Sequence, residues 1–407
     1  MVDEDSRILK VSTLSNWNFR QLLPVYAMLV IWIIAWTVSV NGPVMPLYVE
    51  SLGIGVLGWS LLAASAAVGM FILEWMWGAL FDRVDGRMLL ILSMLCTSAL
   101  FPLYTIQGFI PYFLILQFIS GALGVGAGPI TRAYVANESS NKSVGMLTSL
   151  WWAFYTLGRI IGPLLGAFIA QVWSFHHAFY ASALLSLSAI PLILICFPKR
   201  ATPQSKGSLN LVRGLKSALQ TRSMVFLLMA ALFAFMGSSL IRTFLPLYAS
   251  EQVQMSTLEV GVLISATSAA QLVAMPILGW ASDRFGRGRT VLLGFCFTSL
   301  AFLLFFFAKD SSQLLIASLV VSVGLAASSM LLFSLTADVA SNESYGTVVG
   351  AYGSFEDAGV ILGPIVFGFI WSSYSPALIF AGGAVTQLIG ALLIVPIMRK
   401  RHQQESH

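Results

Sequence analysis

Charge is what this 407-residue chain has least of: Asp, Glu, Lys and Arg together make up 10% of it, against about a quarter in soluble globular domains. That shortage excludes a water-soluble enzyme or binding domain. A mean hydropathy of +0.85 and a hydrophobic fraction of 57% point to an integral membrane protein. Cysteine is also scarce. Cys96, Cys196 and Cys296 each fall in an apolar run, which excludes a disulfide framework and predicts small buried side chains. The four histidines form no group with metal-ligand spacing; His176 and His177 fall near a run's end, so no metal or other cofactor is expected. No cleavable leader is expected, because Met1 to Arg20 is polar and the first apolar run is longer than a signal core.

What the chain has instead is long apolar runs. A hydrocarbon core of about 30 Å needs roughly 20 apolar residues per helix, and about twelve such runs centre near Ile34, Gly69, Ser98, Leu123, Leu157, Ser188, Phe235, Thr267, Leu300, Gly324, Val360 and Gln387. Twelve spans put both termini on one side. The net charge of +5 resides there: of 22 lysines and arginines, 18 fall in the segments of that side, three lie inside apolar runs, and only Lys309 is left for the other. This asymmetry assigns that side to the cytoplasm of a cell membrane, with anionic lipid rather than nucleic acid as the contact. The only long polar interruption, Lys199 to Thr221, divides the chain and contains a possible surface helix, Leu209 to Leu219, with a solvated linker as the plain alternative. The expected organisation is a cytoplasmic tail (1–21), a first bundle (22–198), a cytoplasmic linker (199–222), a second bundle (223–398) and a second tail (399–407).

Two stretches are near-copies. Gly78-Ala-Leu-Phe-Asp82-Arg83-Val-Asp85-Gly86-Arg87 and Gly279-Trp-Ala-Ser-Asp283-Arg284-Phe-Gly286-Arg287 each join two apolar runs, and their first glycines stand 201 positions apart, close to half the chain. Pro46-Leu47-Tyr48 recurs as Pro246-Leu247-Tyr248, Gly145 as Gly346, and Gly162-Pro163 as Gly363-Pro364. Such echoes read as an internal duplication. The chain resembles the major facilitator superfamily, whose two six-helix halves each carry a Gly-x-x-x-Asp-Arg-x-Gly-Arg turn after the second helix. The resemblance implies an all-α membrane fold of twelve transmembrane helices in two pseudo-symmetric six-helix bundles. It also implies that Asp82 and Asp283 latch the cytoplasmic side, with Arg83, Arg87, Arg284 and Arg287 adding contacts to carboxylates and lipid phosphates.

Six charges sit where charge is costly: Glu74, Arg132, Arg159, Arg242, Glu356 and Asp357. Arg132, about one turn from the end of its run, can reach the interface. Arg159, Glu356 and Asp357 are expected near the midplane, Glu74 deeper than a short side chain reaches out from, and Arg242 nearer the outer mouth. Adjacent carboxylates on a helix point about 100° apart, so one of Glu356 and Asp357 is expected to line a cavity while the other packs. Burial and a like-charged neighbour suit a carboxyl to exchanging a proton; a salt bridge that fixes helix packing is the plain alternative for each charge.

Gly158-Arg159-Ile-Ile-Gly162-Pro163-Leu-Leu-Gly166 permits close helix approach. It resembles the fifth-helix motif of the drug:proton antiporter branch, which implies a helix at the alternating-access seam of an exporter. Two positions depart from that branch: Gln117 stands for an arginine four residues before Gly121, and Asn41-Gly42-Pro43 stands where a first-helix acid is common. Trp32, Trp36, Trp151, Trp152, Tyr155, Tyr352 and Phe355 are candidate cavity aromatics. The expected function is a monomeric secondary transporter that works by alternating access and exports small amphipathic solutes in exchange for protons, a multidrug-type efflux. An organic-anion or metabolite importer is the second reading, and a non-transporting receptor a third. No nucleophile-base constellation suggests an enzyme.

Overall fold

The computed structural model describes residues 23–81, 84–106, 108–124, 128, 130–131, 144–197, 222–339 and 345–405. Arg132, Asp82, Arg83 and the linker with its expected helix lie outside the described residues, as do the side chain of Glu74 and the surroundings of Gly78.

Among the described residues, twelve helices follow one another: α1 (Leu23–Ser51), α2 (Val56–Phe81), α3 (Gly86–Leu103), α4 (Ile110–Gly124), α5 (Val144–Val172), α6 (Phe175–Cys196), α7 (Arg222–Glu251), α8 (Thr257–Phe285), α9 (Arg287–Phe307), α10 (Ser311–Val339), α11 (Tyr345–Ser373) and α12 (Leu378–Glu405). Each expected centre falls on its own helix. Eleven are long and apolar enough to cross a membrane, and the described part of α4 is shorter. A helix satisfies its backbone polar groups internally, which is why apolar runs of this length adopt it. The helix α12 continues past residue 398 to Glu405, so the second tail is helical over most of its length. One expectation is corrected. Cys96 is half-buried and Cys296 is exposed, because their helices turn those faces away from the bundle.

Packing repeats between the halves. In the first, α1 lies along α5 and α6, α2 along α4, and α3 along α6; in the second, α7 lies along α11 and α12, α8 along α10, and α9 along α12. The halves meet through two matching pairs, α2 with α11 and α5 with α8. Alternation of the helices puts the described start of the chain, the end of α6, the start of α7 and the end of α12 at one face.

The apolar interior is divided unequally along the bundle. Towards the face away from the termini, one continuous core takes in both halves, with Val44, Tyr48, Trp59 and Phe179 packed in a cluster with Leu240, Phe244, Tyr248, Phe302 and Phe380. Towards the terminus-bearing face the buried residues form two clusters, one per half. Ala27, Ile31, Trp77, Leu90 and Trp151 belong to the first; Leu227, Ala231, Val291, Leu332 and Ile394 belong to the second. Among the described residues, then, the apolar core is common to both halves at one end and separate in each half at the other.

Candidate functional site

The joined end is held by backbone approach and by hydrogen bonds across the halves. A Cβ added to Gly261 on α8 would lie 2.8 Å from the Pro163 carbonyl oxygen of α5 and would collide with Ala167. In the matching pair, a Cβ on Gly368 of α11 would collide with the Ser60 hydroxyl of α2. The Trp59 indole N–H donates to the Thr243 carbonyl at 2.8 Å, tying α2 to α7. The Leu258 N–H donates to Gln171 Oε1 at 2.7 Å, tying the start of α8 to α5. Neither hydrogen bond has a sequence signal, since Trp and Gln at helix ends are common for other reasons.

The glycines of the fifth-helix motif serve another contact. A Cβ on Gly158 would lie 2.7 Å from the Trp32 carbonyl oxygen, and one on Gly162 2.8 Å from that of Trp36; Gly166 faces Val40. All three therefore bring α5 against α1 of its own half. The second half repeats this with Gly359 and Gly363 against Leu232, Met236 and Ser239 of α7. The side of α5 that meets the other half is the one bearing Pro163 and Ala167. Both α5 and α11 run unbroken through their prolines.

Below the joined core stands a charged cluster contributed by three helices. Arg242 of α7 lies within electrostatic range of Arg159 and Tyr155 of α5 and of Glu356 of α11. The Arg242 side chain is exposed although Ile241 and Thr243 on either side of it are buried and protein is dense around it. Its guanidinium donates to the Ser238 hydroxyl at 3.3 Å, one turn back. Arg159 and Glu356 are half-buried, whereas Asp357 is buried. The neighbouring carboxylates thus diverge as helix geometry requires, Glu356 turned towards the arginines and Asp357 into the packing. Arg159, Arg242, Glu356 and Tyr155 are brought together, with two like charges contributed by opposite halves.

The aromatics divide into two groups. Trp151 and Tyr352 are core residues: Trp151 stacks on Tyr155 at 5.9 Å and donates to Thr131, and Tyr352 donates to the Ser329 carbonyl between the rings of Phe235 and Phe333. Trp152 is exposed, and Phe355 packs against the second half's own core. Trp32 and Trp36 pair at 5.5 Å, and both indole N–H groups are buried with no acceptor among the described residues. Asn41, at the position of the first-helix acid, donates to Ser182 at 3.1 Å and ties α1 to α6. Gln117 is buried in α4.

The repeated turn is built differently in its two copies. Gly286, at φ +91°, is the single residue between α8 and α9. In the first copy Asp85 caps α3 by accepting from the Arg87 N–H at 3.1 Å, which gives the additional residue there a physical role. Arg87 donates to the Leu194 carbonyl, whereas Arg287 pairs with Asp338 and reaches the Ser334 carbonyl. Arg284 lies over the rings of Trp280 and Phe285 at 5.3 and 5.9 Å, and Asp283 is exposed. These contacts of Arg87, Arg284 and Arg287 all lie within their own half.

A multidrug resistance protein, MdtG, of Citrobacter koseri is 27% identical over 376 residues, covering 89% of this chain and 91% of that one. Its Escherichia coli K12 counterpart is 25% identical over 374 residues, covering 88% and 90%. Among solved structures, a bacterial homologue of the human lysosomal transporter Spinster, inward-facing and unoccupied, superposes with a TM-score of 0.73 at 13% identity, over 93% of this chain and 95% of that one. The peptide transporter POT in complex with sulfate gives 0.79 at 12%, over 95% and 99%. These low identities speak to the fold alone. The family model described as Major Facilitator Superfamily matches residues 27–229 and again 227–407, one match to each bundle. Duplicated bundles, a shared core at one end and an internal charged cluster accord with that double match: the chain is a transporter, not an enzyme, and belongs to the Major Facilitator Superfamily.

Proposed function

We propose that this protein exports small amphipathic solutes in exchange for protons, by alternating access about the cluster of Arg159, Arg242 and Glu356. The observation that carries the reading is Arg242, an exposed cation at the depth where the joined core gives way to two separate ones. Relatives across nine-tenths of the chain carry the name multidrug resistance protein, which favours export of varied amphipaths. The terminus-bearing face is the cytoplasmic one on the charge asymmetry of the loops, so the conformation is inward-facing, in a cell membrane, and the protein works as a monomer. In this state the described part of the turn latch is disengaged: Asp283 is exposed and Arg287 is held within its own half. Glu356 is the candidate coupling carboxyl, with buried Asp357 beside it and Glu74 as a further candidate.

Purified protein in liposomes, under an imposed pH gradient, tests the reading against cationic dyes and organic anions. Saturable extrusion of dye that collapses with the gradient supports it. Extrusion unchanged in a Glu356→Gln, Asp357→Asn double variant removes the coupling role from this pair. The adjacency of Arg159 and Arg242 favours the second reading, an organic-anion carrier, and anion uptake indifferent to pH is its signature.

A further inference from the structure

At the terminus-bearing face a small cleft lies between the first turn of α7 and α12. Arg222, Ser223, Phe226 and Pro396 line it, and its volume is about 220 Å³. The Arg222 guanidinium carbon stands 5.5 Å from the centre of the Phe226 ring, one turn further along α7, so cation–π attraction turns the charge along the helix and over the cleft. Arg222 is exposed, and among the described residues it has neither a hydrogen bond nor an ion pair. Arg87 and Arg287, at the same face, differ from it: the first donates to the Leu194 carbonyl and the second pairs with Asp338.

The cleft is smaller than the about 300–1,000 Å³ that a drug-sized solute occupies, so it suits a compact polar head. Its polar wall offers a guanidinium fork and a hydroxyl, the donors that a phosphodiester accepts. Its other side runs on into apolar surface. On α12, Val385, Leu388 and Leu392 are exposed at 56, 49 and 65%, and Pro396 is exposed in turn. These four recur every three or four residues, so they lie on one face of the helix, a stripe that descends from the cleft into the span. Beyond Pro396 the helix continues to Glu405, and its next turn carries Arg399, Lys400 and Arg401 in the sequence. A basic face of this kind attracts anionic lipid.

We propose that this cleft binds an anionic phospholipid of the leaflet at the terminus-bearing face, its phosphate held by Arg222 and Ser223 and one acyl chain lying along Val385, Leu388 and Leu392. Both parts of the surface point to that occupant. A free phosphate ion would use the donors and leave the stripe unused. A zwitterionic lipid would use the stripe, but its own cation competes with Arg222 for the phosphate. Because Arg222 opens α7, a bound lipid fixes the start of the second bundle to the membrane surface. The site does not depend on which solute is carried or on what drives it.

Native mass spectrometry of the full chain, titrated in detergent with phosphatidylglycerol, phosphatidylcholine or inorganic phosphate, tests the proposal. Phosphatidylglycerol is expected to bind more tightly than phosphatidylcholine by about fivefold, the worth of one cation at an anionic surface, and Arg222→Gln to remove that preference. Arg289→Gln, which deletes an exposed charge at the start of α9 on the same face, keeps it. Ser223→Ala deletes only a hydroxyl and is expected to weaken phosphatidylglycerol by about two- to tenfold; it carries the test if Arg222→Gln does not fold. Excess inorganic phosphate leaves the lipid in place. Equal binding of the two lipids by the parent overturns the proposal, as does a preference that survives Arg222→Gln or is lost equally in Arg289→Gln. Displacement of the lipid by inorganic phosphate also overturns it, and makes the cleft a site for a soluble anion.

Discussion

The two ends of this molecule are built from the same twelve helices and the same duplicated pattern, yet one is joined and the other divided. At the joined end, small residues let α5 meet α8 at backbone distance and α2 meet α11 through the Ser60 side chain, and the Trp59 and Gln171 hydrogen bonds cross between halves. At the divided end, apolar residues of equal quality pack within each half. The difference teaches that closure is decided by close backbone approach and a few polar contacts rather than by hydrophobicity, because lipid-exposed and protein-facing surfaces are about equally apolar. It also explains why the charged cluster sits where it does. Arg242 and Arg159 come from opposite halves, within electrostatic range of each other.

The largest effect is expected where the joined end is tightest. Gly261→Leu wedges α8 from Pro163 and Ala167, and overpacking of this kind costs about 1–3 kcal/mol, an approximately five- to hundredfold shift towards the open outer end. Transport should fall in proportion while helicity by circular dichroism is unchanged. On the same helix, Val273→Leu is the control, since that side chain is 65% exposed. Equal losses in both variants would mean that the two ends do not differ as argued.

Next come the turns, which compare the halves rather than the ends. Gly286→Ala forces a side chain onto a backbone at φ +91°, at a cost of order 1–3 kcal/mol; Asp85→Ala removes a cap worth about 0.5–2 kcal/mol. Thermal unfolding in detergent should rank the glycine change as the more damaging. Trp59→Phe follows, deleting a buried hydrogen bond worth about 0.5–1.5 kcal/mol with little change in packing. Its readout is a two- to tenfold shift towards the open outer end, measured by the distance between spin labels on cysteines introduced at Phe109 and Tyr374, exposed positions on opposite halves.

Much of this was legible in the residues, and the limits are physical. Hydropathy locates helices because span length is imposed by the bilayer, so all twelve centres fall on helices. Duplication is visible because the turn needs Gly and Asp-Arg at fixed places. Which face of a helix meets which neighbour is not legible when every face is apolar. The glycines at 158, 162 and 166 pattern as an inter-half seam, but bind α5 to α1, while Pro163 and Ala167 make the contact with α8. The depth of Arg159 and Glu356 follows from counting residues along a helix, and their turning towards Arg242 does not.

The smallest effect expected concerns the pairing of Arg287 with Asp338, the second half's counterpart of the Arg87 contact to Leu194. Their side chains are 40% and 33% exposed, so solvent screens the pair and its coupling should be only about 0.2–1 kcal/mol. A double-mutant cycle with Arg287→Gln and Asp338→Asn, read by thermal unfolding at low and high salt, measures it. The low-salt coupling should shrink as salt rises, because an exposed pair lies within reach of the ionic atmosphere. A coupling well above this range that resists salt would mean the turn is a rigid part of its half. Weak, screened pairing is what a latch needs if the same arginine is to change partners when the divided end closes.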